Sequence, residues 1–368
     1  MNDRLDSVIC LRPFYALELH IKGDVSACCP AWSKNMVGNT RHKSLREIWN
    51  DKPIRHMRQM MLEGRWEKIC RPSCPYIMNY LKYNQKVSLA DAGSQFMAEE
   101  ILSAVRSRQI ILPTSPTWLN LANSNNCNIS CIMCGRENYR ENRKLVSKTM
   151  SQVMELLPGI REIVLTGNGD PFARSDTRDL MLNLDTACCP DLKISLLTNG
   201  LLLPAYWDGI KHLNFGDLDI SIDAATSGTY ETIRRGASWQ QLLKSLELVS
   251  SARDRFRNIG INMTVMKENY REIPLFVELA AQYGFSAGIN KIRGRWGDQN
   301  IFTAGDSKVL EDLNDLVIAA QAKAGELQVP FNCSCFNDVL EGKKMTLTER
   351  YRQIAVDNMV QIYYKLKP

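Results

Sequence analysis

The stretch Trp118–Gly135, WLNLANSNNCNISCIMCG, decides how the rest of the chain is read. Trp118 to Ala122 is a short apolar run bounded by polar residues, the pattern of a buried strand. Cys127, Cys131 and Cys134 follow it directly. Three thiols in so short a loop suit a soft metal centre, since thiolate sulfur matches both iron–sulfur clusters and zinc. A closed zinc site wants a fourth protein ligand, and no His follows at finger spacing. A cubane held by three thiolates would leave one iron open to another ligand.

Outward from this loop, short apolar runs alternate with longer amphipathic stretches. Strands are expected at Glu162 to Thr166, Lys193 to Thr198, Leu218 to Ile222, Gly260 to Met266 and Ala287 to Ile292. Helical patterns lie between them at Thr149 to Leu157, Trp239 to Arg253 and Ile273 to Tyr283. Strict alternation implies right-handed parallel crossovers, hence an α/β fold. Six such units are too few for a closed eight-fold barrel, so we expect a partial (β/α)6 TIM-like barrel over residues 117–300, with the cysteine loop at the strand end where active-site loops lie. Residues 1–75 form a small cysteine-bearing domain. Residues 76–116 read as a helical connection, periodic from Phe96 to Ile111 and broken by LPTSP before Pro116. Residues 301–368 read as a helical extension: a helix, a loop at Phe331 to Asn337, and a last helix from Thr348 to Leu366.

Composition sets the outer limits. The 368 residues are 45% hydrophobic and 23% charged, ordinary globular values that exclude a disordered or fibrous chain. A net charge of +6 favours an anionic substrate or cofactor slightly and nucleic acid only weakly. No apolar run is long enough for a membrane span, and the acids in Met1 to Asp6 are foreign to a signal peptide. A cytoplasmic location is therefore expected. There disulfides are disfavoured, so the 12 cysteines point to metal or thiol chemistry.

CxxxCxxC after the first strand resembles the signature of the radical S-adenosylmethionine (SAM) enzymes. The resemblance implies that a [4Fe–4S] cluster on Cys127, Cys131 and Cys134 chelates SAM through its open iron and cleaves it reductively to a 5′-deoxyadenosyl radical. Other strand ends agree with it. LTGNGDPF resembles the family's Gly-Gly-Glu element, which would place Gly167, Asn168, Gly169 and Asp170 around the SAM amino group, with Asn168 and Asp170 departing from the usual Gly and Glu. LLTNG, Leu196 to Gly200, resembles a turn common in the family. DISIDAATSGTYETIRRG is similar to the stretch of peptide-modifying members in which Ser221 and Arg234 would meet the SAM carboxylate and Asp223 the ribose. Arg suits that task because its planar fork grips a carboxylate with two bonds. Met266 and Lys267, at the end of the fifth strand, would lie near the adenine.

The amino-terminal cysteines form a second group. Leu17, Leu19 and Ile21 alternate before a Gly23-Asp24 turn with Val25 beyond it, so a small hairpin would bring Cys10 and Cys28 together. Cys70 and Cys74 on a later loop would close the site, and the spacing also permits a four-cysteine zinc knuckle. The segment resembles a SPASM or "twitch" domain placed before the barrel instead of after it. That implies an auxiliary [4Fe–4S] cluster on Cys10, Cys28, Cys70 and Cys74, with Cys29 as the alternative to Cys28.

Four cysteines remain. Cys188 and Cys189 precede the third strand, at the end opposite the expected site, and read as packing. Cys333 and Cys335 fall on a loop near the open barrel mouth, where one could donate a hydrogen atom to a substrate radical or serve only in packing. In KIRGRWG, Arg293 and Arg295 could bind a carboxylate or phosphate beside Trp296, or form a solvated basic turn. The cluster RDRFR, Arg253 to Arg257, reads as a helix end.

The expected function is hydrogen abstraction in a peptide or protein modification, with oxidation of a sugar alcohol or other small metabolite as the alternative. A flavodoxin- or ferredoxin-type electron donor is implied, with no membrane and no nucleic-acid partner. No further segment for holding a leader peptide is evident. A zinc-stabilised, nucleic-acid-binding protein is the alternative of another class. Colour separates the two: anaerobically purified protein is expected to be brown with a broad absorbance in the visible, whereas a zinc protein stays colourless.

Overall fold

The computed structural model describes residues 10–72, 74, 77, 99–135, 142–165, 169–294, 296–304 and 307–336. Gly167, Asn168, Arg295, the expected helix from Thr348 to Leu366 and much of the 76–116 connection lie outside the described residues.

In chain order the elements begin with a single turn α1 (Arg12–Tyr15), β1 (Ala16–His20), β2 (Asp24–Ser26), β3 (Gly38–Asn39), α2 (Leu45–Trp49), α3 (Lys52–Leu62) and α4 (Glu99–Arg106). Next come β4 (Trp118–Ala122), β5 (Ser130–Cys131), α5 (Arg143–Leu156), β6 (Glu162–Leu165), α6 (Ser175–Asn183), β7 (Lys193–Thr198) and α7 (Leu203–Ile210). The rest are β8 (Phe215–Ser221), α8 (Ser227–Ile233), β9 (Arg234–Arg235), α9 (Trp239–Ser251), β10 (Asn258–Val265), α10 (Ile273–Tyr283), β11 (Ser286–Lys291), α11 (Ile301–Ala304), α12 (Ser307–Glu326) and β12 (Phe331–Asn332). Strand and helix alternate from β4 to β11, and the long strands pair in parallel. This is the expected α/β class.

Two compact units divide the chain, with the first half of β7 in one and its second half in the other. In the first unit the strand order is β7-β6-β4-β1-β2-β3. The hairpin of β1 and β2 forms as the alternating residues predict, with Leu19 opposite Val25. Beyond that expectation, β1 also pairs in parallel with β4, from Ala16 opposite Trp118 to His20 opposite Ala122. Both edges of β1 are therefore paired, and all five of its residues are buried, Glu18 and His20 included. Glu18 is neutralised there by Arg12 at 2.8 Å, whose guanidinium stacks over Trp118.

Local signals explain where the helices of this unit start. Ser44 and Glu47 form a reciprocal capping box on α2, and Asp51 caps α3 with a proline in its first turn. Asn142 caps α5, which is why that helix begins at Arg143, well before the expected Thr149. The amino-terminal segment is fastened onto α5 by Thr40 to Thr149 at 2.9 Å and by Leu45 N–H to Gln152 at 3.0 Å. Arg174, almost wholly buried, donates to the Leu121 carbonyl and the Asn123 side chain and pairs with Asp176, fixing the end of β4 where the chain enters the cysteine loop.

In the second unit the order is β12-β11-β10-β8-β7. Its core is drawn from Ile220, Ile261, Met263 and Ile289 on the strands with Leu246, Phe276 and Val317 on the helices, each at most 2% exposed. Strand β8 starts at Phe215 instead of Leu218, because Phe215 packs with Phe256 and Trp207 at ring separations of 4.8 and 5.8 Å. It stops at Ser221, two residues before Asp223 turns into the left-handed region at φ +63°. Strand β12 is an addition that periodicity did not reveal, being only two residues long; it places Cys333 and Cys335 directly beyond its end. Among the described residues no helix is long and apolar enough to cross a membrane.

One buried cation holds the amino-terminal elements together. Arg58 of α3 has no exposed surface and stacks on Trp49 at 4.3 Å. Its fork donates to the carbonyls of Pro13, Trp49 and Ile110 and to the Asn50 side chain, all at 2.8–2.9 Å. Burial pushes its pKa down to about 9, so it still carries its charge at neutral pH. Arg58→Met leaves those oxygens without donors and is expected to destabilise the protein by about 3–5 kcal/mol, read as an earlier urea midpoint; a midpoint within experimental scatter of the parent would refute that role.

Candidate functional site

The cysteine loop is held in register by an element that sequence patterns did not expose. Strands β5 and β9 form a short antiparallel ladder that sets Ser130 opposite Arg235 and Cys131 opposite Arg234. Ile132 N–H extends it to the Ile233 carbonyl at 2.9 Å. Two-residue strands carry no periodicity, so only the structure reveals the pairing. The ladder brings the middle cysteine beside a guanidinium that is itself fixed. Arg234 donates through Nε to the Ile222 carbonyl at 2.9 Å and through Nη2 to Asp223 at 2.5 Å. Asp223 also accepts Thr264 N–H at 2.6 Å, and its carbonyl accepts Asn269 Nδ2 at 2.7 Å. The pair is buried, with Arg234 5% and Asp223 1% exposed. The carboxylate thus orients the guanidinium from inside the fold, leaving Nη1 as the end not occupied by these bonds.

The Cys131 thiol is pushed up to about 11 by burial, an effect that Arg234 opposes and that Asp223, Cys134 and Cys127 reinforce. Cys127 and Cys134 therefore both lie within electrostatic reach of Cys131. Cys127 and Cys131 are half-buried, Cys134 is exposed, and none of the twelve cysteines is in a disulfide. Tyr230 on α8 is fully buried, its hydroxyl has no hydrogen-bond partner, and Arg234, Cys131 and Asp223 are among its titratable neighbours. The ring of Trp296 lies against Gly135, just past Cys134, with a Cβ placed on Gly135 falling 3.1 Å from it.

The loops after β6 and β7 converge on the same place. Asp170 is 1% exposed and its oxygens are engaged internally: Oδ1 accepts Phe172 N–H at 2.9 Å, and Oδ2 accepts the Thr198 hydroxyl at 2.7 Å and Asn199 N–H at 2.8 Å. It braces the end of β7. Asn199 reaches Cys127 in turn, a contact that the TNG turn did not disclose. Gly169 approaches the backbone of Asn126 so closely that a Cβ there would sit 1.9 Å from the Asn126 carbonyl oxygen. Only glycine fits.

Other residues singled out in the sequence fall as follows. Ser221 ends β8, half-buried. Met266 is fully buried, its N–H bonded to Asn269, and Lys267 is exposed and paired with Asp298 at 2.7 Å. Glu272, which sequence reading passed over, caps the loop before α8 by accepting from Ala225 and Thr226 N–H and from the Thr226 and Thr229 hydroxyls. Lys291 stacks over Phe336 at 5.2 Å. Cys333 donates to Gln321 at 3.1 Å and Cys335 to the Ile289 carbonyl at 3.2 Å. Cys188 is exposed on Asp185, and Cys189 is buried.

The amino-terminal cysteines gather around Cys10. Its thiol is pushed up by burial, with Arg12 opposing and Cys74 adding to the rise. Burial likewise raises Cys28, which neighbours Cys10 and Cys29, and brings Cys70, beside Cys10 and Cys74, up to about 12. Ile77 and Cys74 pack with Trp32, Trp66 and Cys70 in a small apolar cluster. Among the described residues no three His, Cys, Asp or Glu side chains converge tightly enough for a single metal ion. The thiolates of a four-iron cluster sit on different irons and stand farther apart, so two groups of free, mutually neighbouring thiols have the donor chemistry such clusters take.

Comparison with known proteins agrees with this donor chemistry. A radical SAM superfamily model matches residues 124–280, and an iron-sulfur cluster-binding domain model matches residues 10–75. The chain is 27% identical over 177 residues to mycofactocin maturase MftC of Mycolicibacterium smegmatis, covering 47% of this chain and 44% of that one. It is 28% identical over 172 residues to GTP 3',8-cyclase of Marinobacter nauticus, covering 45% and 50%. The chain thus spans about half the length of these relatives. Among solved structures, SuiB of Streptococcus suis bound to its precursor peptide SuiA aligns with a TM-score of 0.45 at 15% identity, over 84% of this chain and 69% of that one.

With the Cys335 thiol pushed up to about 11 by burial, the group is a neutral thiol at physiological pH. Only its thiolate is nucleophilic, so its alkylation by iodoacetamide, followed by peptide mass spectrometry, is expected to accelerate about tenfold per pH unit between about pH 7 and 10. A rate that levels off near pH 8 would contradict the assignment.

Proposed function

The chain belongs to the radical SAM superfamily, and on that footing we propose that it abstracts hydrogen from an unactivated carbon of a peptide or protein substrate. When bound, a [4Fe–4S] cluster and SAM supply the one-electron cleavage of the sulfonium that generates a 5′-deoxyadenosyl radical. The chain's own residues would bind and aim these groups. Cys127, Cys131 and Cys134 would carry the cluster, the ladder between β5 and β9 keeping Cys131 in place. Arg234 would grip the SAM carboxylate through Nη1, helped by Ser221, while Asp223 stops the guanidinium from turning away. Asp170, committed to its own turn, would act by supporting Thr198 and Asn199 and not by direct contact. Cys10, Cys28, Cys70 and Cys74 would carry the auxiliary cluster. The matched families make both centres iron–sulfur in kind, which displaces the zinc reading.

The observation that carries this proposal is the register of Cys131 against Arg234. A cluster ligand and a carboxylate-gripping cation on paired backbone strands keep a fixed separation, which is what simultaneous chelation and charge recognition of one cofactor require. The neutral Cys335 thiol, beyond β12, would be chemically able to return a hydrogen atom to a substrate radical. A flavodoxin- or ferredoxin-type protein would deliver the electron.

For the substrate, the SIDAATSGTYETIRRG stretch and the likeness to the maturase support a peptide. The likeness to the cyclase supports a second reading, oxidation or rearrangement of a small anionic metabolite, with Lys291 at the end of β11 and Arg293 just beyond it as the cationic end. A short precursor-peptide gene beside this one would favour the first, and a small-metabolite cassette the second.

Anaerobically reconstituted protein given dithionite and SAM is expected to release 5′-deoxyadenosine. Cys131→Ala should abolish that release, and Arg234→Lys should raise the KM for SAM by about 10- to 100-fold, the worth of one charge-assisted hydrogen bond. Full iron content with no deoxyadenosine would overturn the proposal.

A further inference from the structure

Asn199 is fixed by more bonds than a loop amide needs. Its main-chain N–H donates to Asp170 Oδ2 at 2.8 Å, and its side-chain oxygen accepts Leu201 N–H at 3.0 Å. Its Nδ2 donates to Asn128 Oδ1 at 2.8 Å and faces Cys127 Sγ at 3.7 Å, within the longer reach of a hydrogen bond to sulfur. The residue is 5% exposed. Thr198 Oγ1 in the same turn donates to Asp170 and accepts Gly200 N–H at 3.0 Å. With its oxygen tied to Leu201, the amide cannot flip, and an N–H is the group presented to the sulfur.

We propose that Asn199 is a positioning residue that donates a hydrogen bond to the Cys127 sulfur and thereby sets the reduction potential of the cluster that Cys127 would ligate. The inference rests on the reading of Cys127 as a cluster ligand. An N–H aimed at a thiolate withdraws electron density from it and stabilises the more negative, reduced state, so the donor raises the potential. Asp170 then acts at one remove. It holds Asn199, Asn199 holds the sulfur, and the acid of the GDPF turn influences the cluster without touching it. That gives a physical reason for an aspartate in the turn: the shorter side chain folds back onto Thr198 and Asn199.

The test is an anaerobic potentiometric titration of the reconstituted 368-residue chain, following the electron paramagnetic resonance signal that changes on adding SAM. In Asn199→Leu, which removes the donor at similar size, the midpoint is expected to move to more negative potential, and the fraction reduced at a fixed dithionite concentration to fall severalfold at unchanged iron content. Asn199→His, whose Nδ1–H can occupy the place of Nδ2, should recover part of the shift. If Asn199→Leu does not fold, Asn199→Ser, too short to reach the sulfur, is read the same way. A variant with native circular dichroism that loses the SAM-responsive cluster also supports the positioning role. A midpoint and iron content equal to the parent's would overturn the proposal, and a parent protein with no SAM-responsive signal would instead overturn the reading beneath it.

Discussion

The buried ion pair between Arg234 and Asp223 is the constraint on which the site depends. Two opposite charges taken out of water are costly unless each is satisfied by further bonds, and here both are: Arg234 by the Ile222 carbonyl, Asp223 by Thr264 N–H. The pair therefore ties the end of β8, the end of β10 and strand β9 to one point. Because β9 forms the ladder with β5, the cysteine loop inherits that fixed position through its backbone. Glu272 does similar work from the other side, tethering the start of α8 with four accepted hydrogen bonds. Backbone register and buried charge thus place the loop through the protein's own bonds.

The amino-terminal segment follows a different rule. Cys10 lies just before, and Cys28 just after, a run of elements ending in a hairpin whose first strand also pairs in parallel with β4, so their scaffold is continuous with the sheet of the first unit. Fully buried Arg58 and the Arg12–Glu18 pair add polar anchors to an apolar core that includes Phe14, Leu17, Leu19, Leu45 and Ile48. These cations bond to carbonyls and a carboxylate from several elements at once, which makes their removal costly but gives the segment one defined arrangement.

Much of this was legible beforehand. Trp118 to Ala122, Lys193 to Thr198 and Ile273 to Tyr283 stood out with the correct ends because apolar runs were bounded by clear punctuation. The three-cysteine loop and the SIDAATSGTYETIRRG stretch pointed to the family that the comparisons then gave. What could not be read were features made of two residues or of single long-range bonds: β5 with β9, β12, Glu272 and the contact of Asn199 with Cys127. None has a period, and each depends on residues far apart in the chain. Asp170 and Asp223 show the complementary limit. A motif indicates that an acid is needed, but only the hydrogen bonds show that both carboxylates serve inward, one bracing a turn and the other a guanidinium.

The pairing of β1 with β4 also bears on how the chain comes into being. Ala16 leaves the ribosome long before Trp118, so the hairpin is made with one edge bare, and that edge is capped only when the middle of the chain has been translated. During that interval the first group of thiols is already synthesised but lacks its supporting wall. The order in which this scaffold is completed is therefore written into the topology of a single edge strand.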